Sequence, residues 1–292
     1  MKTTSRTQVC TVAAILVLLC LALAGARTSR ADTEFTLPLQ PWMTAHGVDK
    51  FGSWAEFTVS GVTQRLRWIK PGAFLMGSPP DELGHTDSET QHKVILTHGF
   101  WLADSICTQA LWKAVTAGSW RRSFVFNGDP NLPADNVSWN ECQDFFKQLN
   151  SELPGIKANA ALPSEAQWEY ACRAGTTDRF GGNLDAIAWD FDNSDRKTHP
   201  VKLKAPNAWG LYDMHGNTFQ WCQDTFAPYS GNPESDPVCT NGKGRVIRGG
   251  SYYYHSGYLR AASRFGVDPG ATSQYVSMRI RVPETPDSTA KP

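Results

Sequence analysis

"LPSEAQWEYACRAG", residues 162–175, spells a short helix together with both of its ends. The Ser164 hydroxyl suits the free N–H groups of a first turn, the Glu165 charge suits a helix N-terminus, and Gly175 supplies the stop. Between these signals Trp168, Ala171 and Cys172 share one face, the face that a core would cover.

Two similar pieces lie upstream. In "SWNECQDFFKQLNSEL" (138–153), Ser138 and Glu141 are the two halves of a capping box, and Cys142, Phe145, Phe146 and Leu149 make one apolar stripe. In "CTQALWKAVTAG" (107–118), Ala110, Leu111, Ala114 and Val115 recur at helical spacing, with Gly118 as the stop. Strands are signalled earlier. "WAEFTVSGVTQRLRWIKPGAFLMGS" (54–78) alternates on either side of Ser60-Gly61, which predicts a hairpin with one buried face, and Pro71-Gly72 ends it. The polar stretch from Pro79 to Gln91, with Asp81, Glu82, Asp87 and Glu89, reads as a solvated loop, and "HKVILTHGFWLADS" (92–105) returns to strand composition. Beyond Gly175, short apolar pieces are separated by "GGN", "DNSDRK" and "APNAWG". The chain therefore reads as α+β, a loop-rich single domain with short strands and about three helices. Its eleven tryptophans, 24 glycines and 18 prolines fit this, because large rings let a turn-rich chain bury enough apolar area to offset its ordering cost.

The first residues are of another kind. Lys2 and Arg6 precede an uncharged, mostly apolar run from Val12 to Ala26, followed by the small residues of "LAGA" and "SRA". That is the pattern of a secretory signal peptide over residues 1–31, cleaved after Ala26 or Ala31. The run is shorter than the ~20 residues of a spanning helix, so the expectation is a periplasmic or secreted protein with no membrane span after cleavage. Residues 32–67 read as an N-terminal arm and first strand, 68–282 as the domain proper and 283–292 as a flexible tail. Cleavage removes Lys2, Arg6, Arg27 and Arg30 and no acid, leaving 24 basic side chains against 28 acidic ones. A net charge of −4 gives nucleic acid no basic footprint. Cys107, Cys142, Cys172, Cys222 and Cys239 remain, at spacings that match no zinc pattern. Export permits disulfides, an odd count leaves at least one thiol free, and the pairing stays open.

Five segments then agree in order and spacing with one family: "PGAFLMGS" (71–78), "PADNVSWNECQDF" (133–145), "LPSEAQWEYACRAG" (162–175), "PNAWGLYDMHGNTFQWCQD" (206–224) and "RVIRGGSYYYHSGYLRAASR" (245–264). From about Trp68 to Val282 the chain resembles the sulfatase-modifying-factor family, that of the formylglycine-generating enzymes. The resemblance implies the formylglycine-generating-enzyme fold, distantly similar to C-type lectins. Members of this family generate formylglycine on sulfatases, form carbon–sulfur bonds in ergothioneine synthesis, mature pyoverdine siderophores in the periplasm, or serve as inactive binding partners. Fold does not set the chemistry here.

The segment after Gly250 separates these possibilities. In formylglycine-generating enzymes it carries two cysteines that bind copper(I), a soft ion that prefers thiolates. Here the first position is Tyr254, and the second falls on Leu259 or on a deletion between Tyr258 and Arg260. Copper-dependent formylglycine generation is therefore not expected. An ergothioneine-type iron site needs a further helical-bundle domain for which the chain has no room, and the seven histidines show no paired spacing. By resemblance, Ser251, His255, Tyr258 and Arg260 line the family's substrate cleft. Histidine ordinarily titrates near neutrality, and tyrosines donate protons or stack on flat ligands. His255, Tyr254 and Tyr258 are thus the candidate catalytic groups, and Ser251, Tyr252, Tyr253, Arg260 and Phe219 the candidate substrate contacts. The other reading packs these rings into the core and pairs the arginines with carboxylates such as Glu165 and Glu169. It stays open for His255 and Tyr254 and is preferred for Arg264.

"GLYDMHGNTFQW" (210–221) is the second informative segment. In the family its equivalent wraps a calcium ion, and the matching positions here are Asp213, Gly216, Thr218 and Gln220. A hard cation wants six or more oxygens, and Gln220 stands where the family has glutamate. The resemblance thus implies a structural calcium, set against a glycine turn that keeps its shape by backbone hydrogen bonds. A second family calcium site, near Asn193, is shortened.

Together these features lead to an exported sulfatase-modifying-factor-like protein. The expected role is oxidative maturation of a small peptide-derived product, most similar to the pyoverdine type. The alternative is a non-catalytic module on the same fold that binds a peptide or partner protein.

Overall fold

Ser60 and Gly61 both adopt positive φ, 48° and 81°, the paired left-handed turn that lets two strands follow their natural twist. Around them the chain forms β1 (Ala45–Asp49), β2 (Gly52–Val59) and β3 (Val62–Ile69), with Val59 opposite Val62 in the expected hairpin. The computed structural model describes residues 36–117, 124–153 and 160–284. The signal peptide, Gly118 as a helix stop and the tail beyond Glu284 lie outside the described residues.

After β3 come β4 (Gly72–Met76), β5 (His92–Leu96) and β6 (Phe100–Ala103), then the helices α1 (Gln109–Thr116), α2 (Trp139–Glu152), α3 (Glu165–Arg173) and the single turn α4 (Leu184–Ile187). The remaining strands are short: β7 (Phe219–Thr225), β8 (Glu234–Ser235), β9 (Arg245–Arg248), β10 (Arg264–Val267), β11 (Val276–Met278) and β12 (Arg281–Pro283). They build three sheets, ordered β1-β2-β3-β6-β12, β10-β9-β7-β11 and β4-β5-β8. Pairing is antiparallel except for β11 beside β7 and β8 beside β5.

The three expected helices begin where their caps require. Ser138 and Glu141 close a capping box on α2, and Ser164 closes one on α3 with Gln167 as its reciprocal partner. The stop of α3 comes one residue earlier than expected, with Ala174 left-handed at φ 45° ahead of Gly175. The one-turn helix α4 was not signalled, because four residues are too few for a periodicity to show.

Two expectations need correction. Residues 32–67, expected to hold an arm and a first strand, hold more sheet than that from Ala45 onward: β1 covers the outer edge of β2, and Trp42, 2% exposed, packs edge-on against Trp101. The acidic stretch 79–91 is not simply solvated. Glu82 and Glu89 turn inward to meet the Arg260 guanidinium, each at 2.8 Å, because a buried cation must be matched.

Two apolar clusters fill the interior. One, which includes Trp101, Trp112, Phe145 and Trp221, gathers side chains of the five-stranded sheet, α1, α2 and β7. The other surrounds α3 and includes Phe100, Trp168, Leu211, Met214 and Cys222. Among the described residues five fully buried tryptophans, Trp42, Trp101, Trp112, Trp168 and Trp221, thus do much of the filling that long helices would do elsewhere.

Between these clusters lies a web of buried charges. Glu169, fully buried, accepts from Arg173 Nε and from Gly77 N, each at 2.9 Å, and pairs with Arg248. Glu165, one turn earlier on α3, receives Arg264 in bidentate fashion at 2.7 and 2.6 Å, which bears out the pairing expected for that arginine. Burial pushes the Glu165 carboxyl up, but Arg264 and Arg248 outweigh it and hold the group below the usual carboxylate range. His215 is buried nearby. Its Nδ1–H donates to Leu259 O at 2.6 Å and its Nε2 faces Cys172 Sγ at 3.4 Å. Burial pushes this imidazole down to about 4.

Removing one partner of a buried pair strands the other, so Glu169→Gln should cost about 3–5 kcal/mol, readable as a lower urea midpoint. Folding also depends on pH through His215. A histidine held neutral contributes its stability fully above about 6.5 and loses it as pH falls toward about 4, some 3 kcal/mol in all. Asp135 and Asp224, pushed up by burial to about 6 and about 7, act oppositely and gain stability as pH falls. The expected signature is therefore a difference: His215→Gln, compared with the parent chain, should flatten the acid limb of the stability curve between about pH 6.5 and 4.

Candidate functional site

Gly249 and Gly250, at φ 97° and 75°, turn the chain out of β9. At Gly250 a Cβ would come within 2.6 Å of the Leu259 side chain, so the turn closes only on glycine. Ser251 follows, fully buried, and its Oγ lies 3.4 Å from Tyr253 N. The chain then presents Tyr252 inward and Tyr253 outward, 1% and 42% exposed. Tyr254 N donates to Ser251 O at 3.0 Å and Phe191 N to Tyr254 O at 3.1 Å, so Tyr254 is pinned from both sides.

The rings form an ordered shelf. Tyr253 stacks on Tyr275 with centroids 5.3 Å apart and planes 28° apart, and Tyr258 stacks on Phe265 at 5.7 Å and 25°. Tyr254 stands between the two pairs, edge-on to Phe219 at 5.2 Å, to Tyr275 at 5.8 Å and to Tyr258 at 5.1 Å. These are the offset and T-shaped arrangements that ring quadrupoles favour. Tyr258, 44% exposed, and Tyr253 leave part of the shelf open to solvent. Burial raises the Tyr254 phenol above its ordinary value, as do Tyr275 and Tyr258 beside it, which keeps it a proton donor.

At one rim His255 leans on Phe191 at 4.3 Å, and its Nδ1 lies 3.7 Å from Asp192 Oδ2. Both side chains are largely exposed. An exposed imidazole beside a carboxylate can move a proton at the edge of the shelf.

The structure thus brings together Phe219, Tyr253, Tyr254, His255 and Tyr258, with Ser251 and Tyr252 beneath them. It does not bring Arg260 there. That guanidinium is 1% exposed, and Glu82, Glu89 and the Gly84 and Gly257 carbonyls occupy its N–H groups. Sequence reasoning did not foresee Tyr275, Phe265, Phe191 or Asp192. Phe265 follows Arg264 in a short strand and carried a weak alternation signal, while Tyr275 reaches Phe219 only because β11 lies parallel to β7.

Tyr254, matched by resemblance to the first copper position, is a ring of the shelf, and Leu259, matched to the second unless a deletion falls between Tyr258 and Arg260, is fully buried against Gly250. Cys107, Cys142, Cys172 and Cys222 are buried, Cys239 is half-buried, and all five are free thiols in this structure. Burial lifts the Cys172 thiol to about 12 and the Cys222 thiol far above its usual value, so neither offers a thiolate. Among the described residues no three histidine, cysteine or acidic side chains converge as a metal cluster.

The four positions matched to a calcium turn are all buried, and the Gln220 amide reaches the Asp213 carbonyl at 2.7 Å. Their donor set is poor for a hard cation. The Asp213 carboxylate accepts N–H groups on both oxygens, and the Gln220 amide oxygen already takes two donors. Asn193, the remnant of the second site, bridges Asp190 N and Ala188 O as a turn cap. No helix among the described residues is long and apolar enough to cross a membrane.

The fold has counterparts among known proteins. Residues 53–282 match the model of the sulfatase-modifying factor enzyme 1-like domain. The formylglycine-generating enzyme of Streptomyces coelicolor is 32% identical over 195 residues, 58% of this chain and 59% of that enzyme. The chain thus spans between half and three-fifths of the length of the curated formylglycine-generating enzymes it first matches. Among solved structures, Treponema denticola variable protein 1 superposes with a TM-score of 0.70 at 26% identity, over 78% of this chain and 98% of that one. PvdO from Pseudomonas aeruginosa superposes with a TM-score of 0.69 at 23% identity, over 75% of this chain and 94% of that one, a likeness of fold. With a domain model matched over most of its length and these folds superposing on it, the chain belongs to the sulfatase-modifying factor enzyme 1-like family.

Proposed function

We propose that this chain is an exported, periplasmic or secreted family member that acts in oxidative maturation of a small peptide-derived product. The substrate class is a flat, catechol-bearing ring of the pyoverdine-chromophore kind. One observation carries the reading: two stacked ring pairs flank an edge-on Tyr254, with the half-exposed Tyr253 and Tyr258 facing solvent and His255 at the rim. Such a surface suits a flat aromatic ligand, since each new ring contact adds about 0.5–1.5 kcal/mol beyond area burial.

The chain's own residues supply binding and proton movement. Tyr253, Tyr254 and Tyr258 hold the ring, and His255, facing Asp192, takes up a proton as the ring loses hydrogen. In all the catechol gives up two protons and two electrons as it becomes a quinone: His255 takes one proton, solvent takes the other, and dissolved dioxygen, reduced to hydrogen peroxide, takes the electrons. Tyr254 and Leu259 in place of two thiolates set this apart from copper-dependent formylglycine generation.

The reading is tested with the mature chain and a reduced catechol-bearing chromophore, following binding by fluorescence and oxidation by absorbance. Tyr253→Ala and Tyr258→Ala should each weaken binding by about 3–10-fold, the loss of one stacking contact. His255→Gln should lower turnover by about 10²-fold or more while leaving Kd within about twofold. Binding without any turnover by the parent chain would reject the enzyme and leave the non-catalytic module. Absence of binding would reject the substrate class.

A further inference from the structure

Gln220 is fully buried, and its neighbours fix how its amide lies. Trp168 Nε1 and Arg279 Nε both donate to its Oε1, at 2.9 and 2.8 Å. An indole and a guanidinium can only donate, so the amide oxygen must face them and the NH2 must face away. On that side it donates to Asp213 O at 2.7 Å. Asp213 is itself left-handed, at φ 54°, and its carboxylate is spoken for. Oδ2 accepts from Lys202 N at 3.0 Å, and Oδ1 from Asn217 Nδ2 at 3.3 Å. Arg279, also fully buried, donates to the carbonyls of Ala103 at 2.7 Å, Tyr212 and Asp213.

A divalent cation at a turn of this kind would draw a carboxylate, a side-chain oxygen and carbonyls toward one point. Here the positive end of an amide dipole already lies on the Asp213 carbonyl, and a buried guanidinium supplies the charge. We propose that Gln220 and Arg279 hold the Asp213–Gln220 turn in place of a calcium ion, and that an amide rather than a carboxylate at position 220 makes the turn ion-independent. A carboxylate there would point its second oxygen at the Asp213 carbonyl. Two acceptors facing each other in a buried site repel until a cation comes between them. The inference goes beyond the proposed function: Phe219 adjoins Gln220 on β7, so the aromatic shelf keeps its footing whether or not calcium is present.

Calorimetric calcium titration and melting curves test this on the full mature chain, together with Gln220→Glu and Asp213→Asn. Asparagine tolerates the left-handed backbone at 213, so the second variant is compatible with folding. The parent chain should melt within about 1 °C in excess chelator and in millimolar calcium, as a protein without a site does. Gln220→Glu should melt lower by about 3–8 °C in chelator, recover in calcium and show one calorimetric binding event that the parent lacks. Recovery of folded Gln220→Glu only when calcium is present during expression would count as the same result. Calcium stabilisation of the parent that Asp213→Asn abolishes would overturn the proposal. So would a folded Gln220→Glu that neither binds calcium nor loses stability in chelator. Parent stabilisation that Asp213→Asn keeps in full would overturn it equally, because an asparagine oxygen still serves a calcium ion.

Discussion

Glu165 and Glu169 sit one turn apart on α3 with no exposure to water, and a carboxylate in that position must be met by a cation. Arg264 and Arg248 meet them from β10 and β9, and Arg173 closes the web from the same helix. Because β9 and β10 flank the segment 249–263, these pairs fix both ends of the turn that carries the tyrosines. Arg260, inside that segment, is anchored separately to Glu82 and Glu89. The aromatic shelf is thus suspended between charge pairs that it does not itself contain.

The rest of the interior follows from scarcity of regular structure. Strands of two to eight residues and helices of at most fourteen offer little repeating apolar face. Trp101, Trp112, Trp168 and Trp221 supply the missing area, and several use their one donor. Trp168 Nε1 reaches Gln220, and Trp221 Nε1 reaches Val137 O. Large rings with a single polar handle can sit where loops converge and still reach a nearby acceptor. Trp168 therefore links the α3 core to the Asp213–Gln220 turn, and through Phe219 to the shelf.

The turn after Gly250 carries the aromatic shelf. Gly249 and Gly250 turn the chain out of β9, and the segment that follows holds the Tyr254 phenol and the buried Leu259 alkyl group. The shelf presents a surface of stacked rings with one histidine at its edge. In the turn beside it an amide and a guanidinium meet oxygens that a hard ion would otherwise collect.

Local signals were legible in the sequence because they act within a few residues: the Ser60-Gly61 hairpin, the caps at Ser138 and Ser164, the apolar stripe of α2 and the motifs that carry the family resemblance. The tyrosines after Ser251 were legible as candidates, since residue type alone sets what a phenol or an imidazole can do. What only the tertiary structure decided is which of them work together. Tyr275 joins Tyr253 and Tyr254 because Val276 pairs with Phe219 across parallel strands more than fifty residues apart, and no periodicity records such a pairing. Arg260 left the cleft because a guanidinium has no preference for one carboxylate until folding brings Glu82 and Glu89 within 2.8 Å of it. Side-chain chemistry is a property of the residue, whereas its partners are set by distances that only the packed chain defines.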